Sequence, residues 1–177
     1  DALEYEPTDP GGLESYITEG FTYKVVGNIP YYITGALLRK FLESPLQPTK
    51  LVFLMQKEVV ERIVGREKGK QTHKESLLSL SIKAYGTPKY VKTVPKGAFV
   101  PAPTVDSAIL LVSSVSRAKF NDPFHEERFF ALIHAGFAQK RKLLMRNIEE
   151  LLPKERALEG FAAAKIPQNA RSEDVSI

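Results

Sequence analysis

Asn28, Pro30 and Tyr31 stand within four positions of one another in Gly27-Asn28-Ile29-Pro30-Tyr31-Tyr32, and together they could hold a flat, amino-bearing base. An amide oxygen accepts a hydrogen, a proline removes a backbone donor and leaves a carbonyl for a ligand, and an aromatic ring offers a stacking face. The two hydrogens of an exocyclic amine would go to the Asn28 side-chain oxygen and to a backbone carbonyl near Pro30. That would localise the nitrogen lone pair for attack on a methyl group. The same residues could also form a plain turn with two gap-filling tyrosines. A second group is cationic: Lys140, Arg141, Lys142 and Arg146 fall in a stretch without an acid, as do Lys83, Lys89, Lys92 and Lys96. Such runs suit phosphates, and they also suit a solvated helix face.

The elements around the first group support a ligand site. Residues 23–26 read as a short buried strand, so the Asn28 loop follows a strand. A helix should come next, with Thr34 as its cap, Leu37, Leu38, Phe41 and Leu42 on its inner face, and Ser44-Pro45 as its stop. In an open α/β sheet, ligands bind beyond the carboxyl ends of the strands. Leu51 to Met55 is apolar without alternation, the pattern of a strand covered on both faces, and a helix from Lys57 to Val64 repeats the unit, which implies parallel strands. A polar loop over 65–72 leads to a helix over 74–85 and strands near 90–94 and 108–115, the last two expected to be antiparallel. The linker between them, Pro95 to Pro103, is too proline-rich to be regular.

From Asp122 the pattern turns helical. Asp122 is a cap, Pro123 takes the first helical position, and Phe130, Ile133 and Phe137 share a face; a second helix is expected over 141–152. Strands followed by helices predict an α/β domain over 1–118 and a small α-helical domain over 119–177, with the boundary near 117–121. An apolar share of 43% with 26% charge indicates a folded chain. The absence of cysteine excludes disulfides and thiolate chemistry, and three scattered histidines argue against a metal site. No apolar run is long enough to span a bilayer, so a cytoplasmic protein is expected. A net charge of +4 favours a polyanionic partner.

The motifs and their order resemble the ribosomal RNA adenine dimethyltransferase family, class I methyltransferases that use S-adenosylmethionine. Gly27 to Tyr32 resembles the family's signature loop, and Gln56 to Arg62 is similar to its helix after the next strand. Ala98 to Ser107 resembles its second substrate loop, and Phe137 to Asn147 its basic C-terminal helix. The resemblance implies a Rossmann-like domain followed by a helical domain, with Asn28, Pro30, Tyr31 and Phe99 as catalytic residues. Tyr31 and Phe99 would sandwich the target adenine. It implies Asp1, Ala2 and Asn28 as cofactor contacts, the Asp1 carboxylate accepting from the cofactor's adenine amine. It also implies Lys140, Arg141, Lys142 and Arg146 as contacts to RNA.

The family's reaction puts two methyl groups on each of two adjacent adenosines near the 3′ end of small-subunit ribosomal RNA, with a monomer acting on the small subunit. The glycine-rich cofactor loop of the family is missing, since Gly11-Gly12 lies in a polar stretch of the wrong type. The chain therefore reads as a fragment, expected to be inactive by itself. The alternatives are the antibiotic-resistance branch that modifies large-subunit RNA and a non-catalytic RNA-binding assembly factor. A DNA adenine methyltransferase fits less well, because Ile29 stands where such loops carry another proline.

Overall fold

The computed structural model describes residues 4, 22–67, 70–71 and 74–177. Strand β1 (Lys24–Asn28) passes through the Asn28 loop into helix α1 (Thr34–Glu43). Strand β2 (Lys50–Gln56) runs without an intervening residue into helix α2 (Lys57–Val64). β1 and β2 pair in parallel, Lys24 opposite Lys50 through Asn28 opposite Leu54. Helix α2 closes at Gly65, whose left-handed backbone (φ 74°) suits a residue without a Cβ.

The expected polar loop over 65–72 instead contains two short strands, β3 (Arg66–Glu67) and β4 (Lys70–Gln71), paired antiparallel. Helix α3 (Leu77–Tyr85) starts three residues later than its apolar pattern suggests. Ser76 accepts the Ser79 N–H and Ser79 answers the Ser76 N–H, which fixes the first turn there. Strands β5 (Thr87–Val94) and β6 (Ser107–Ser113) follow and are antiparallel, as expected.

The sheet order is β1-β2-β6-β5, with β6 antiparallel to both neighbours. Leu51, Phe53 and Met55 of β2 and Ala108, Leu110 and Val112 of β6 are buried together with Leu37, Leu38, Phe41 and Leu42 of α1, Val60 and Ile63 of α2 and Ile82 of α3. Val52 and Leu54 point to the other face and are only partly covered. β2 is therefore fully covered on one face among the described residues, where its sequence suggested two. Thr34 does not cap α1: Ile33 holds that position, and no side chain bonds the exposed N–H groups. The tight turn over Tyr31–Ile33 leads directly into the helix and leaves Thr34 buried inside it.

Helix α4 (Pro123–Phe137) begins as its sequence indicates, with Asp122 accepting the His125 N–H at 2.7 Å and Pro123 in the first turn. Phe129 and Phe130 of α4 pack against the sheet core, and Phe130 stacks on Tyr85 with ring centroids 5.6 Å apart. Ala135, near the other end of α4, packs on a second, smaller core of Met145, Ile148, Ala157 and Phe161. These belong to helix α5 (Leu144–Ile148) and helix α6 (Lys154–Ala163).

The expected long helix over 141–152 is absent. Lys140, Arg141 and Lys142 lie in the turn between α4 and α5, and only Arg146 is helical. The cause is long-range. The buried Asn147 amide donates to the carbonyls of Gly136 (2.5 Å) and Gln139 (3.2 Å), and the Ser172 hydroxyl also donates to Gly136. The Leu144 N–H goes to Ala170 at 2.9 Å, so the carbonyls that would extend α4 are taken by side chains and the chain turns.

Candidate active site

The Asn28 loop is anchored at its second residue. Ile29 is buried in the sheet core, and its N–H reaches the Leu54 carbonyl at 3.0 Å, which extends the parallel ladder one step past β1. Gly27 makes this possible, because a Cβ there would stand 2.8 Å from the Ile29 side chain. With Ile29 inward, Asn28 and Pro30 are left exposed at the carboxyl end of β1. Pro30 begins a tight turn in which its carbonyl accepts the Ile33 N–H at 3.2 Å. The turn aims the Tyr31 ring toward β6, where its hydroxyl meets the Ser107 hydroxyl at 3.3 Å. Tyr32 points away and is 89% exposed.

The second loop, between β5 and β6, is pinned at its neck by Asp106. Its carboxylate accepts the Lys96 N–H and its carbonyl accepts the Lys57 N–H, each at 3.0 Å. This ties both ends of the proline-rich segment to each other and to the start of α2.

The two loops enclose a cleft of about 290 Å³. One wall is Asn28 to Tyr31 and the other is Phe99, Pro101 and Pro103, with Ser107 between them. The volume is at the small end of ligand pockets, roughly 300 to 1,000 Å³. Asn28, Pro30, Tyr31 and Phe99, the first and last of them 71 positions apart in the sequence, thus line one cavity. Ser107 joins them; the sequence placed it at the end of the Ala98 to Ser107 stretch that resembles the second substrate loop, without a role of its own. The expected free carbonyl shifts by one residue. Pro30 gives a lone pair to Ile33, whereas no backbone N–H among the described residues reaches the Ile29 carbonyl.

Asp1 and Ala2 lie outside the described residues, as does Gly11-Gly12. Of the cations expected on RNA, Lys142 pairs with Glu150 at 3.4 Å and Arg146 with Glu149 at 3.0 Å. Lys140 and Arg141 are exposed and make no ion pair among the described residues.

A wider groove of about 880 Å³ runs between the ends of α1 and α3 and the start of α4, and none of the expected site residues lines it. Its polar groups serve one another. The Arg117 guanidinium donates to the carbonyls of Ser44 (2.9 Å) and Glu43 (2.6 Å) and to the Glu126 carboxylate (2.9 Å). The Tyr85 hydroxyl donates to Glu126 at 2.5 Å, and burial, then that bond, pushes its ionisation well above the usual tyrosine range. With these groups bonded to one another, the groove is a joint between the sheet and α4.

Residues 9–177 match the family described as ribosomal RNA adenine dimethylase. The chain belongs to this family. Among its relatives is the ribosomal RNA small subunit methyltransferase A of Dehalococcoides mccartyi, 42% identical over 137 residues, which are 77% of this chain and 45% of the relative. The protein of the same name from Fusobacterium nucleatum is 34% identical over 169 residues, 93% of this chain and 61% of the relative. The chain thus spans about half the length of the curated relatives it matches.

Among solved structures, the 23S rRNA methyltransferase ErmE superposes with a TM-score of 0.71 at 21% identity. The match covers 99% of this chain and 65% of that one. A dimethyladenosine transferase from Plasmodium falciparum gives 0.67, also at 21% identity, covering 90% and 64%. At that identity these likenesses establish the fold, that of a class I methyltransferase domain. The expectation of an α/β methyltransferase fold is met, and the family is the one the four ordered motifs indicated.

Proposed function

We propose that, in a chain of the relatives' full length, this protein transfers methyl groups from S-adenosylmethionine to the exocyclic amines of two adjacent adenosines near the 3′ end of small-subunit ribosomal RNA. The carrying observation is the cleft that joins Asn28, Tyr31 and Phe99. The adenine enters between the Tyr31 and Phe99 rings, each stacking on one face for about 1 to 3 kcal/mol. Its amine gives one hydrogen to the Asn28 amide oxygen and the other to the Ile29 carbonyl, the one left open by the Pro30 turn. Both acceptors hold the nitrogen as it becomes tetrahedral. The N–CH3 bond would form as the donor's sulfur–methyl bond breaks and a neutral thioether leaves. The proton of the resulting cationic nitrogen would pass to water at the open cleft, so positioning with polarisation carries the displacement without a general base. Ser107 holds Tyr31 by its hydroxyl and fixes the ring's tilt.

S-adenosylmethionine, when bound, supplies a methyl on a cationic sulfur. Of the expected contacts to it, Asn28 opens onto the cleft. Every role above falls to this chain's own groups, the Asn28, Tyr31, Phe99 and Ser107 side chains and the Ile29 main-chain carbonyl. The further assignments follow the same reading: a catalytic unit over 1–118, a helical unit over 119–177 with Lys140, Arg141, Lys142 and Arg146 toward the RNA backbone, and a cytoplasmic monomer acting on the small ribosomal subunit.

The deciding experiment incubates a full-length version with labelled S-adenosylmethionine and either small-subunit particles or naked large-subunit RNA, then maps dimethyladenosine by mass spectrometry. The expected product is dimethyladenosine at paired positions in small-subunit RNA only. Label in large-subunit RNA would assign the protein to the resistance branch, and no label in either would leave an RNA-binding role.

A further inference from the structure

The cationic stretch around β5 has no part in the chemistry above. From Ser76 to Val105 the sequence contains no Asp or Glu, yet it holds Lys83, Lys89, Lys92 and Lys96. Lys83 is committed to Glu75, at 2.5 Å. Lys89 and Lys92 are exposed and make no ion pair among the described residues. Their separation of three would place them on opposite faces of a regular strand, since side chains alternate.

The pairing with β6 alters this. Lys89 lies opposite Leu111, Tyr90 opposite Leu110 and Lys92 opposite Ile109, so Val91 is an extra residue without a partner. This one-residue bulge brings Lys92 back to the face of Lys89. On β6 the same face continues from Leu111 and Ile109 to Ser107, the residue at the floor of the cleft. Lys92 therefore sits one row from the cleft floor and Lys89 the next, rows being about 7 Å apart at 3.4 Å per residue. β5 is also the edge strand among the described residues, so both ammonium groups stand at the rim of the sheet.

We infer that Lys89 and Lys92 form a second phosphate-binding site, which takes the backbone of the same RNA strand whose adenine enters the cleft. The inference rests on the proposed function, because the row of side chains leads to the Tyr31 and Phe99 cleft. Charge complementarity names the partner as a polyanion, and the proximity of a base-sized cleft makes it a nucleic-acid strand. The competing account is that edge-strand lysines only keep sheet edges from pairing with one another.

The test uses the 177-residue chain and a short RNA hairpin whose loop carries two adjacent adenosines, with affinity followed by fluorescence anisotropy across a KCl series. Removing two phosphate contacts lowers the slope of log affinity against log salt by about 1.4 to 1.8, at roughly 0.7 to 0.9 per contact. That fall is expected for Lys89→Gln with Lys92→Gln, while Lys89→Arg with Lys92→Arg keeps the parent slope. Position is separated from net charge by exchanging neighbours, Lys92→Thr with Thr93→Lys. This moves one charge to the other face, and the slope should drop by about one contact although the charge is unchanged.

Phe99→Ala serves as the control for the underlying reading and should weaken binding at every salt concentration with no change of slope. If Phe99→Ala has no effect while the lysine variants lower the slope, the cleft reading fails and the lysine site stands. If the lysine variants keep the parent slope, the inference is overturned. The same holds if they merely self-associate in sedimentation while the slope is unchanged, which would leave the lysines as edge guards.

Discussion

The Asn28–Phe99 cleft and the α4–α5 turn rest on different supports. In the cleft Ile29 extends a sheet ladder by its main chain, Asp106 staples the second loop with its carboxylate and its carbonyl, and both loops adjoin the larger core, through Ile29 itself and through Ala108, Leu110 and Val112 of β6. The turn that carries Lys140, Arg141 and Lys142 depends on side chains as well as on the Leu144 N–H to Ala170 bond. Asn147 and Ser172 grip the carbonyls of Gly136 and Gln139 at and just past the end of α4, above the smaller core that includes Met145, Ile148, Ala157 and Phe161 among the described residues. On the proposed function, the cleft would have to position a reacting nitrogen, which suits anchorage in the larger core. A surface proposed to meet phosphates would tolerate looser support, because phosphate contacts set affinity and register without reading bases.

The largest expected effects test whether the two cores differ as much as their sizes suggest. Phe53, 1% exposed at the centre of β2, and Phe161, 6% exposed in the small core, are both aromatic truncations when changed to alanine. Such changes cost about 3 to 5 kcal/mol, and the cost rises where surrounding structure cannot collapse into the gap. Phe53→Ala should fall at the upper end and shift the whole urea transition. Phe161→Ala should fall at the lower end and loosen 140–177 first, seen as early loss of amide protection there. Equal losses with uniform protection would merge the two cores into one cooperative unit.

Asn28→Ala comes next. In a full-length version it should lower turnover about a hundredfold or more, the scale of losing one preorganised polar contact to a developing charge, with RNA affinity unchanged. Single-turnover methylation alongside equilibrium binding reads both. Near-normal turnover would reduce Asn28 to the residue that ends β1.

The counterpart on the other side of the comparison is Asn147→Ala. It removes one of two donors from each of the Gly136 and Gln139 carbonyls, where losing the last donor in a buried setting would cost about 1 to 3 kcal/mol. Ser172 still serves Gly136 and the Lys142 N–H still serves Gln139, so the lower end of that range is expected, together with faster amide exchange over 138–143. Slow exchange in that variant would show that the turn is set by Leu144 and Ala170 instead.

What the sequence revealed follows the same division. The β1-α1 and β2-α2 units were legible because apolar residues recur at strand and helix spacing within each segment, and the ends of α2 fall where Gln56 and Gly65 stand. Asp122-Pro123 gave the start of α4 for the same local reason. The Asn28 loop was legible through residue type and its position after a strand, and the Phe99 loop as an irregular proline-rich linker to which the family resemblance assigned a role. Features made by distant partners were not. The helix expected over 141–152 shortens to Leu144–Ile148 because Asn147 and Ser172 hold the Gly136 and Gln139 carbonyls in a turn before it and Ala170 takes the Leu144 N–H, and none of these partners carries a local signal. The bulge at Val91 depends on register with β6, and the occupied Pro30 carbonyl depends on a turn that Asn28 to Tyr32 alone do not specify.

The smallest expected effect separates the cations of the turn from one another. Were all four free, replacing them would lower the salt slope of RNA binding by one contact each, at roughly 0.7 to 0.9 per contact. They are not equivalent, since Lys142 faces Glu150 and Arg146 faces Glu149, whereas Lys140 and Arg141 face solvent. A paired cation brings its carboxylate to the phosphate, so its net contribution to counterion release is smaller. Lys140→Ala with Arg141→Ala should therefore flatten the slope by about 1.4 to 1.8 units, and Lys142→Ala with Arg146→Ala by clearly less. Glu149→Gln with Glu150→Gln should sharpen the contrast by freeing the second pair and steepening the slope. Cofactor binding should be untouched throughout. Equal flattening by both alanine pairs would mean that the ion pairs open on contact with RNA, and unchanged slopes in both would make this turn a solvated surface and leave Lys89 and Lys92 as the phosphate contacts that remain.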